Sequence, residues 1–192
     1  CGKLGNEPDP EGEGNAPVSA GGDLSASIIV AINTGFTAGQ NLNLFTPSNL
    51  SVAATAIAGD ATVRTQGGIT GTIQATAGSV YTTTLLGLSD TAQLNAGLDV
   101  ALTSWGNVLG TSAAGQDASV WVAGNAGAEA TALRDVYIWA NGDLTAAVNA
   151  GQNASVIVTG DVLATVTAAD SATVATLGDV NETVTAVTGD VY

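Results

Sequence analysis

The feature that most constrains the fold of this chain is an internal repeat built from two alternating nine-residue units. The stretches GDLTAAVNA (142–150), GQNASVIVT (151–159), GDVLATVTA (160–168) and ADSATVATL (169–177) follow one another without a gap. Because the two kinds of unit alternate, the true period is about 18 residues. Followed back along the chain, this period predicts nine rungs, each one turn of a coil, of 17–20 residues. The predicted rungs begin at Gly22, Gly39, Gly59, Gly78, Gly97, Gly115, Arg134, Gly151 and Ala169.

Each unit has the alternation of a β-strand. In the unit 160–168, Val162, Ala164, Val166 and Ala168 fall on one face, and Leu163 and the two threonines fall on the other. Alternation with a period of two, together with β-branched valine and threonine, is typical of strands. The units are bounded by Gly-Asp or Gly-Gln, which favour turns. We therefore expect short strands with small inward side chains.

Strands at this regular spacing fit a meander of hairpins or a solenoid. A solenoid accounts better for side-chain identities that recur at twice the strand spacing, because equivalent positions stack on one another. The prediction is an all-β protein, a β-solenoid (parallel β-helix) of about nine rungs with two or three short sheets. At roughly 4.8 Å per rung, the rod is about 43 Å long.

The segment 1–21 differs in composition from the rest of the chain. It contains three of the four prolines and four acidic residues, and it is weakly hydrophobic, which is typical of an extended linker. We therefore divide the chain into an extended acidic arm at residues 1–21 and a solenoid at residues 22–192. The arm could lock onto a neighbouring subunit.

Composition excludes several classes of function. The chain has no His and one Cys, so a zinc site, a haem ligand and a Ser-His-Asp triad lack their residues. The net charge of −14 argues against nucleic-acid binding. No apolar run is long enough to span a membrane, so we expect no membrane-spanning helix. No sheet collects acidic and basic residues as a polysaccharide-cleaving β-helix does, so we expect neither an enzyme nor a cofactor.

Two resemblances add expectations. Cys1-Gly2-Lys3, followed by a polar run, resembles the mature end of a bacterial lipoprotein, which implies a lipid on Cys1 and contact with the outer membrane; a free thiol is the alternative. The rung length is similar to that of filamentous haemagglutinin-type adhesins and bactofilin-type solenoids, which implies the architecture only. The lipoprotein-like start and the expected filament together favour a place outside a bacterial cell or on its surface.

The nine-residue units and their Gly-Asp turns also bear on whether the protein binds calcium. The units are similar in length to the calcium-binding nonapeptide repeats of secreted toxins, but those require G-G-x-G-x-D-x-U-x, and here Gly-Asp is not followed by Gly-x-Asp. The resemblance therefore does not extend to a calcium site. The Gly-Asp turns at Asp23, Asp60, Asp143, Asp161, Asp179 and Asp190 are expected to be structural, and weak calcium binding between rungs is the alternative.

A row of apolar residues predicts a lateral interface. Trp121, Trp139, Ile157 and Ala175 recur at the period of the repeat, and Tyr137 lies beside Trp139. Their neighbours of opposite parity are also apolar, so one of the two faces should be outside, where an aromatic stripe marks a contact surface. The predicted interface residues are Trp121, Tyr137, Trp139 and Ile157. A thicker core and a platform for sugar are the alternatives.

The ends of the repeat predict self-association. No polar cap is evident at either end, and uncovered solenoid ends are complementary sheet edges that stack without closing. The predicted end-to-end contact involves Gly189, Asp190, Val191 and Tyr192 at one end and Gly22, Asp23 and Leu24 at the other. We therefore expect a structural subunit of an extracellular bacterial filament whose partner is itself.

Two other functions stay open. One is a monomeric, lipid-anchored adhesin that binds glycan or protein. The other is an ice-binding protein, suggested by the pairs Thr165/Thr167 and Thr183/Thr185.

Overall fold

The computed structural model describes residues 17–28 and 34–192, which form a β-solenoid of about nine turns. No helix occurs among these residues, and every strand pairing among them is parallel. The predicted all-β solenoid is confirmed. Valine and threonine at alternating positions favour the extended backbone, and glycine with Asp or Asn at the corners allows the chain to turn.

Nineteen strands of three to five residues are described. In chain order they are β1 (Val18–Ala20), β2 (Leu24–Ser27), β3 (Phe36–Ala38), β4 (Leu42–Thr46), β5 (Ala54–Ala56), β6 (Ala61–Thr65), β7 (Thr72–Ala75), β8 (Val80–Thr84), β9 (Gln93–Ala96), β10 (Val100–Ser104), β11 (Thr111–Ala114), β12 (Ala118–Val122), β13 (Glu129–Ala132), β14 (Val136–Ala140), β15 (Val148–Ala150), β16 (Ala154–Val158), β17 (Val166–Ala168), β18 (Ala172–Thr176) and β19 (Val184–Ala186).

Each rung contributes to three sides of the rod. The odd-numbered strands form a ten-stranded sheet from β1 to β19, and the even-numbered strands form a nine-stranded sheet from β2 to β18. On the third side, single parallel bridges join one residue per rung, starting with Leu50 to Ile69 and ending with Val162 to Val180. The prediction of two or three sheets therefore corresponds to two sheets and a column of bridges.

The register shows how the length of a rung varies along the rod. From Val100 onward, partners in the nine-stranded sheet keep the spacing of the sequence repeat, as in the pair Val100 and Ala118. Earlier, Leu42 pairs with Ala61, Ala61 with Val80, and Val80 with Val100, so these rungs are slightly longer. The extra residues lie in the corners, where they leave the strand pairing undisturbed.

Some predicted rung starts are displaced by one residue. Relative to Leu24 and its register partners, Gly59 and Gly78 occupy the position of Gly22, whereas Gly39 and Gly97 lie one position earlier. The reason is that the tight corner favours glycine at two adjacent positions, so glycine alone does not define the register.

The boundary of the arm also differs from the prediction. The predicted arm includes Val18–Ala20, but this segment forms β1 and pairs in register with Phe36–Ala38. The solenoid therefore begins before residue 22. The rest of the predicted arm, residues 1–16, lies outside the described residues.

The core is a narrow apolar column between the three sides. Leu44, Leu102, Leu144 and Val162 are fully or almost fully buried, and along each strand the buried positions alternate with outward ones. The inward face predicted for the unit 160–168 is confirmed, because Val162, Val166 and Ala168 are buried and Ala164 is half-buried. The outward positions of the two sheets are therefore free to serve as contact surfaces.

Candidate interaction surfaces

The predicted aromatic row lies on the outer face of the nine-stranded sheet. Trp121 pairs with Trp139, Trp139 with Ile157, and Ile157 with Ala175, each in the next strand. The residues before and after the first three point into the core. Ile157 is 47% exposed and Tyr137 is 49% exposed. The rings are thus not surrounded by a thicker core, and the row is available for contact.

Two indole rings in this row stack along the rod. The ring centroids of Trp121 and Trp139 are 5.1 Å apart, and their planes differ by 3°. Trp105 meets Trp121 edge to face, with centroids 5.7 Å apart and planes at 66°. Because the stacked rings cover each other's facing surfaces, they direct mainly their edges outward. That arrangement suits packing against another protein surface better than stacking on a sugar ring.

Trp105 is a member of this cluster that the repeat spacing does not reveal. It lies one residue beyond the end of β10, in a corner, and is 51% exposed. The signal that could have found it is its place in the chain, nearly one rung before Trp121. Corner residues of one rung can reach strand residues of the next.

Tyr137 lies between the aromatic row and an acidic corner. The negative charge of Asp135 raises the pKa of the Tyr137 phenol above its ordinary value of 10.0, with smaller contributions from burial and from Asp117. The phenol therefore remains a neutral hydrogen-bond donor throughout the physiological pH range. Its hydrogen bond with the Asp135 carboxylate also helps to keep the phenol protonated, so Tyr137 brings no charge to the sheet face.

A ladder of polar side chains runs along the corner that precedes the nine-stranded sheet. The backbone N–H of Asn41 donates to Oδ1 of Asp23 at 3.0 Å, that of Asp60 to Oδ1 of Asn41 at 3.0 Å, and that of Ser79 to Oδ1 of Asp60 at 2.8 Å. The pattern continues through Asp99, Asp117 and Asp135 to Asn153. We call this the first ladder.

A second ladder follows the corner after the same sheet. The N–H groups of Asn125, Asp143, Asp161 and Asp179 each donate to the side-chain Oδ1 one rung earlier, at 2.8–3.1 Å, beginning at Asn107. The Gly-Asp turns that form one row in the sequence are thus divided between two corners. In both ladders a side-chain oxygen of Asp, Asn or Ser accepts the backbone N–H of the next rung, which is a structural role.

The first ladder includes an ion pair. Arg134 reaches back one rung and donates two hydrogen bonds to the carboxylate of Asp117, the one from Nε at 3.0 Å. This contact lowers the pKa of Asp117 below its ordinary value of 3.8. Arg134 thereby offsets the repulsion between the stacked carboxylates of Asp99, Asp117 and Asp135.

The two groups of residues predicted for end-to-end contact lie at opposite ends of the rod, along the same column of corners that carries the first ladder. Leu24 begins the register that passes through β4 and successive strands to Ala172, and Ala172 forms a bridge with Val191. Asp23 and Asp190 therefore occupy the same position in rungs at the two ends of the rod. The carboxylate of Asp190 accepts a 3.0 Å hydrogen bond from the hydroxyl of Tyr192.

The remaining predicted features form no assembled site. Thr167 and Thr185 are register partners on the outer face of the ten-stranded sheet, but Asn149 precedes them in the same row, so threonine does not recur on every rung. Within residues 17–28 and 34–192, no group of three or more Cys, Asp or Glu side chains is arranged to hold a metal ion. Cys1 lies outside the described residues.

Comparisons with known proteins identify no relative of this chain. None of the described residues belongs to a helix that could span a membrane. The chain matches no protein-family model, no curated protein and no solved structure.

Proposed function

We propose that this chain is a structural subunit of an extracellular filament, in which solenoid rods stack head to tail. The observation that carries the proposal is the common register position of Asp23 and Asp190 at the two ends of the rod. A second copy placed on the first, in the register that the rungs already use, brings Gly22, Asp23 and Leu24 onto Gly189, Asp190 and Val191.

The joint would reuse the contacts between neighbouring rungs. The N–H of Asp23 would donate to the carboxylate of Asp190, as the N–H of Asp161 donates to Asp143 within one chain. β1 of one copy would pair with β19 of the other. Contacts of this kind do not close on themselves, so they extend indefinitely in one direction.

The edge of β19 has the donors that such pairing needs. The N–H of Val187 donates to the carbonyl of Ala168, and the carbonyl of Thr183 accepts from the N–H of Val166, so both point towards β17. Because backbone groups alternate along a strand, the N–H groups of Val184 and Ala186 point the other way. Among the described strands, β19 is paired only with β17.

A single proline tests the joint without altering the rod. Ala186→Pro removes an outward-pointing N–H and places a ring on the edge, and it leaves the β17–β19 hydrogen bonds intact. Ala186→Ser is the matched control, since it keeps the N–H. Negative-stain electron microscopy should show threads for the wild type and the serine variant, and single rods of about 4–5 nm for the proline variant.

Single rods in all three samples would contradict the proposal and would favour a monomeric adhesin. Threads that persist in Ala186→Pro would show that assembly uses another surface. The location outside a bacterial cell stays a prediction from the sequence, as does a lipid on Cys1.

A further inference from the structure

The outer face of the nine-stranded sheet is free of acidic residues although the chain carries 17 of them. The described acidic side chains lie in the corners or on the other sides of the rod. Arg64 is the single charge among the described outward positions of this sheet. The bulky side chains there are Phe45, Tyr81, Trp121, Tyr137, Trp139 and Ile157. The other outward positions hold Ser, Thr, Ala or Asn.

We propose that this face packs against the same face of a second copy, with the two rods antiparallel. The twofold axis lies between the two sheets and is parallel to β10. β10 is the fifth of the nine strands, so this axis gives complete overlap of the two sheets. It sets β12 of one copy against β8 of the other, β14 against β6, and β16 against β4. This lateral pairing is independent of head-to-tail stacking, since it uses a different surface.

The antiparallel alignment sets three of the six bulky side chains opposite small ones, and it sets Phe45 opposite Ile157, which is an apolar contact. With the axis along the strands, equivalent positions of the paired strands face each other. Trp121 therefore faces Thr83, and Tyr137 faces Thr62, by their places in the register. Tyr81 faces Ser119 in the same way. A face that is self-complementary about an axis is the requirement for an isologous dimer.

The single charge on the described face, Arg64, also favours the antiparallel alignment. Arg64 lies two strands from β10, so the two copies of Arg64 are four strands apart, roughly 19 Å along the rod. Each Arg64 faces Trp139 of the other copy. The ring face of Trp139 attracts a guanidinium through a cation–π contact, whereas a second arginine would repel it. Parallel rods at the same height would instead place the two arginines in the same rung.

The corner ladders lie beside the face and do not decide the alignment. The axis sets Asp143 of the second ladder opposite Gly68, which carries no charge, but it sets Asp99 of the first ladder opposite its own copy and Asp60 opposite Asp135. Parallel rods would instead bring Asp143 towards Asp135 of the same rung. Because these carboxylates lie at partly exposed corners, solvent weakens their repulsion in either alignment.

The face is large enough for a stable dimer. Nine strands at about 4.8 Å spacing and five residues at about 3.3 Å each give a face of roughly 40 by 16 Å. Two such faces bury about 1,300 Å² in total, which falls in the range of specific protein interfaces. The aromatic residues, which contribute most to interface energy, lie within this area rather than at its ends.

Site-directed cross-linking tests the axis directly. In a Cys1→Ser background, Thr103→Cys puts one thiol on the central strand, where it faces its own copy. A bis-maleimide reagent short enough to bridge only sheets packed about 10 Å apart should then give a covalent dimer on a denaturing gel. Ala175→Cys is the matched control, since it is also an outward position of the same sheet but lies on β18, at the edge.

The gel separates this proposal from filament formation, because denaturant dissolves end-to-end contacts and keeps the cross-link. Dimer from Thr103→Cys and none from Ala175→Cys is the expected result. Dimer from both variants would mean parallel rods and would overturn the antiparallel axis. No dimer from Thr103→Cys would mean that the face meets a different protein, a glycan or solvent, and would overturn the pairing itself.

A charge placed on the face provides a second test. In the Thr103→Cys background, Thr83→Asp sets an acid opposite Trp121 and should reduce the yield of cross-linked dimer roughly tenfold, as a loss of about 1.4 kcal/mol would. Thr167→Asp makes the same change on the outer face of the ten-stranded sheet and should leave the yield unchanged. Equal yields from the two variants would contradict the proposal.

Discussion

The backbone N–H of Asp161 donates a 2.8 Å hydrogen bond to Oδ1 of Asp143, one rung earlier in the chain. The same contact joins Asp179 to Asp161, at 2.9 Å. One side chain thus closes the corner of one rung and satisfies a backbone donor of the next. The ladder satisfies an N–H at the corner, between backbone hydrogen bonds that also join the two rungs there, such as the one from Leu144 to the carbonyl of Asp161.

Removal of the Asp143 carboxylate should weaken the contact between two neighbouring rungs. Asp143→Ala leaves the N–H of Asp161 without its acceptor and should lower the free energy of unfolding by about 1 kcal/mol. Asp143→Asn keeps Oδ1 and removes a charge next to Asp161, so its stability should match or exceed the wild type. Urea unfolding measures both values, and hydrogen exchange of the Asp161 amide should accelerate in the alanine variant only. Equal exchange in both variants would contradict this role.

The ion pair of Asp117 with Arg134 should give the rod an acid-dependent component of stability. Because the hydrogen bond from Arg134 lowers the pKa of Asp117, the folded state favours the ionised carboxylate. This contribution is complete above the ordinary pKa of 3.8 and is lost as the pH falls through the lowered value.

Asp117→Asn should remove that component and keep Oδ1 as an acceptor for Asp135. The stability of the variant should therefore fall less steeply than that of the wild type as the pH drops below about 4. Thermal unfolding followed between neutral and acidic pH measures the slope. Asp143→Asn, on the other ladder, serves as the control, and a slope identical to the wild type in Asp117→Asn would refute the assignment.

Gly87 should tolerate no side chain. It has a φ of 100°, and a Cβ added there would lie 1.9 Å from the carbonyl oxygen of Asn107 in the next rung. Gly87→Ala therefore combines backbone strain with a clash and should destabilise the rod by more than about 1 kcal/mol. Gly22→Ala meets nothing within 4 Å and should leave the unfolding midpoint nearly unchanged. Similar midpoints for the two variants would contradict the geometry.

Two leucines on the third side of the rod should differ sharply in their sensitivity to truncation. Leu144 is fully buried, whereas Leu163 is 43% exposed. Leu144→Ala should lower the free energy of unfolding by about 2–5 kcal/mol through the cavity that it leaves, and Leu163→Ala by less than about 1 kcal/mol. Chemical denaturation measures the free energy of unfolding of both variants. A larger loss in Leu163→Ala would mean that Leu163, and not Leu144, points into the core.

The strands and their faces were predictable because both arise from local chemistry that repeats. The alternation of Val162, Ala164 and Val166 with outward residues is enough to define a strand face. The spacing of Trp121 and Trp139 is enough to define the register, since like positions stack. These features lie along the strands, where side chains have a strict period of two.

The corners were harder to predict because several sequences satisfy the same turn. Glycine is accepted at two adjacent positions, so Gly39 and Gly97 suggest a rung start one residue early. The longer rungs around Ala61 and Val80 absorb extra residues without changing the sheets. Trp105 joins the aromatic cluster only through a contact between rungs. The sequence does not predict β1, because Val18–Ala20 is a short segment that becomes a strand by pairing with β3.

The parallel pairing of all described strands has a mechanical consequence. The hydrogen bonds between rungs lie along the long axis of the rod, so a pull applied between its two ends loads the rungs in series. Each rung can then peel away separately and release roughly 18 residues, up to about 60 Å of extended chain. A rod built in this way should extend in discrete steps under load and absorb work at each step.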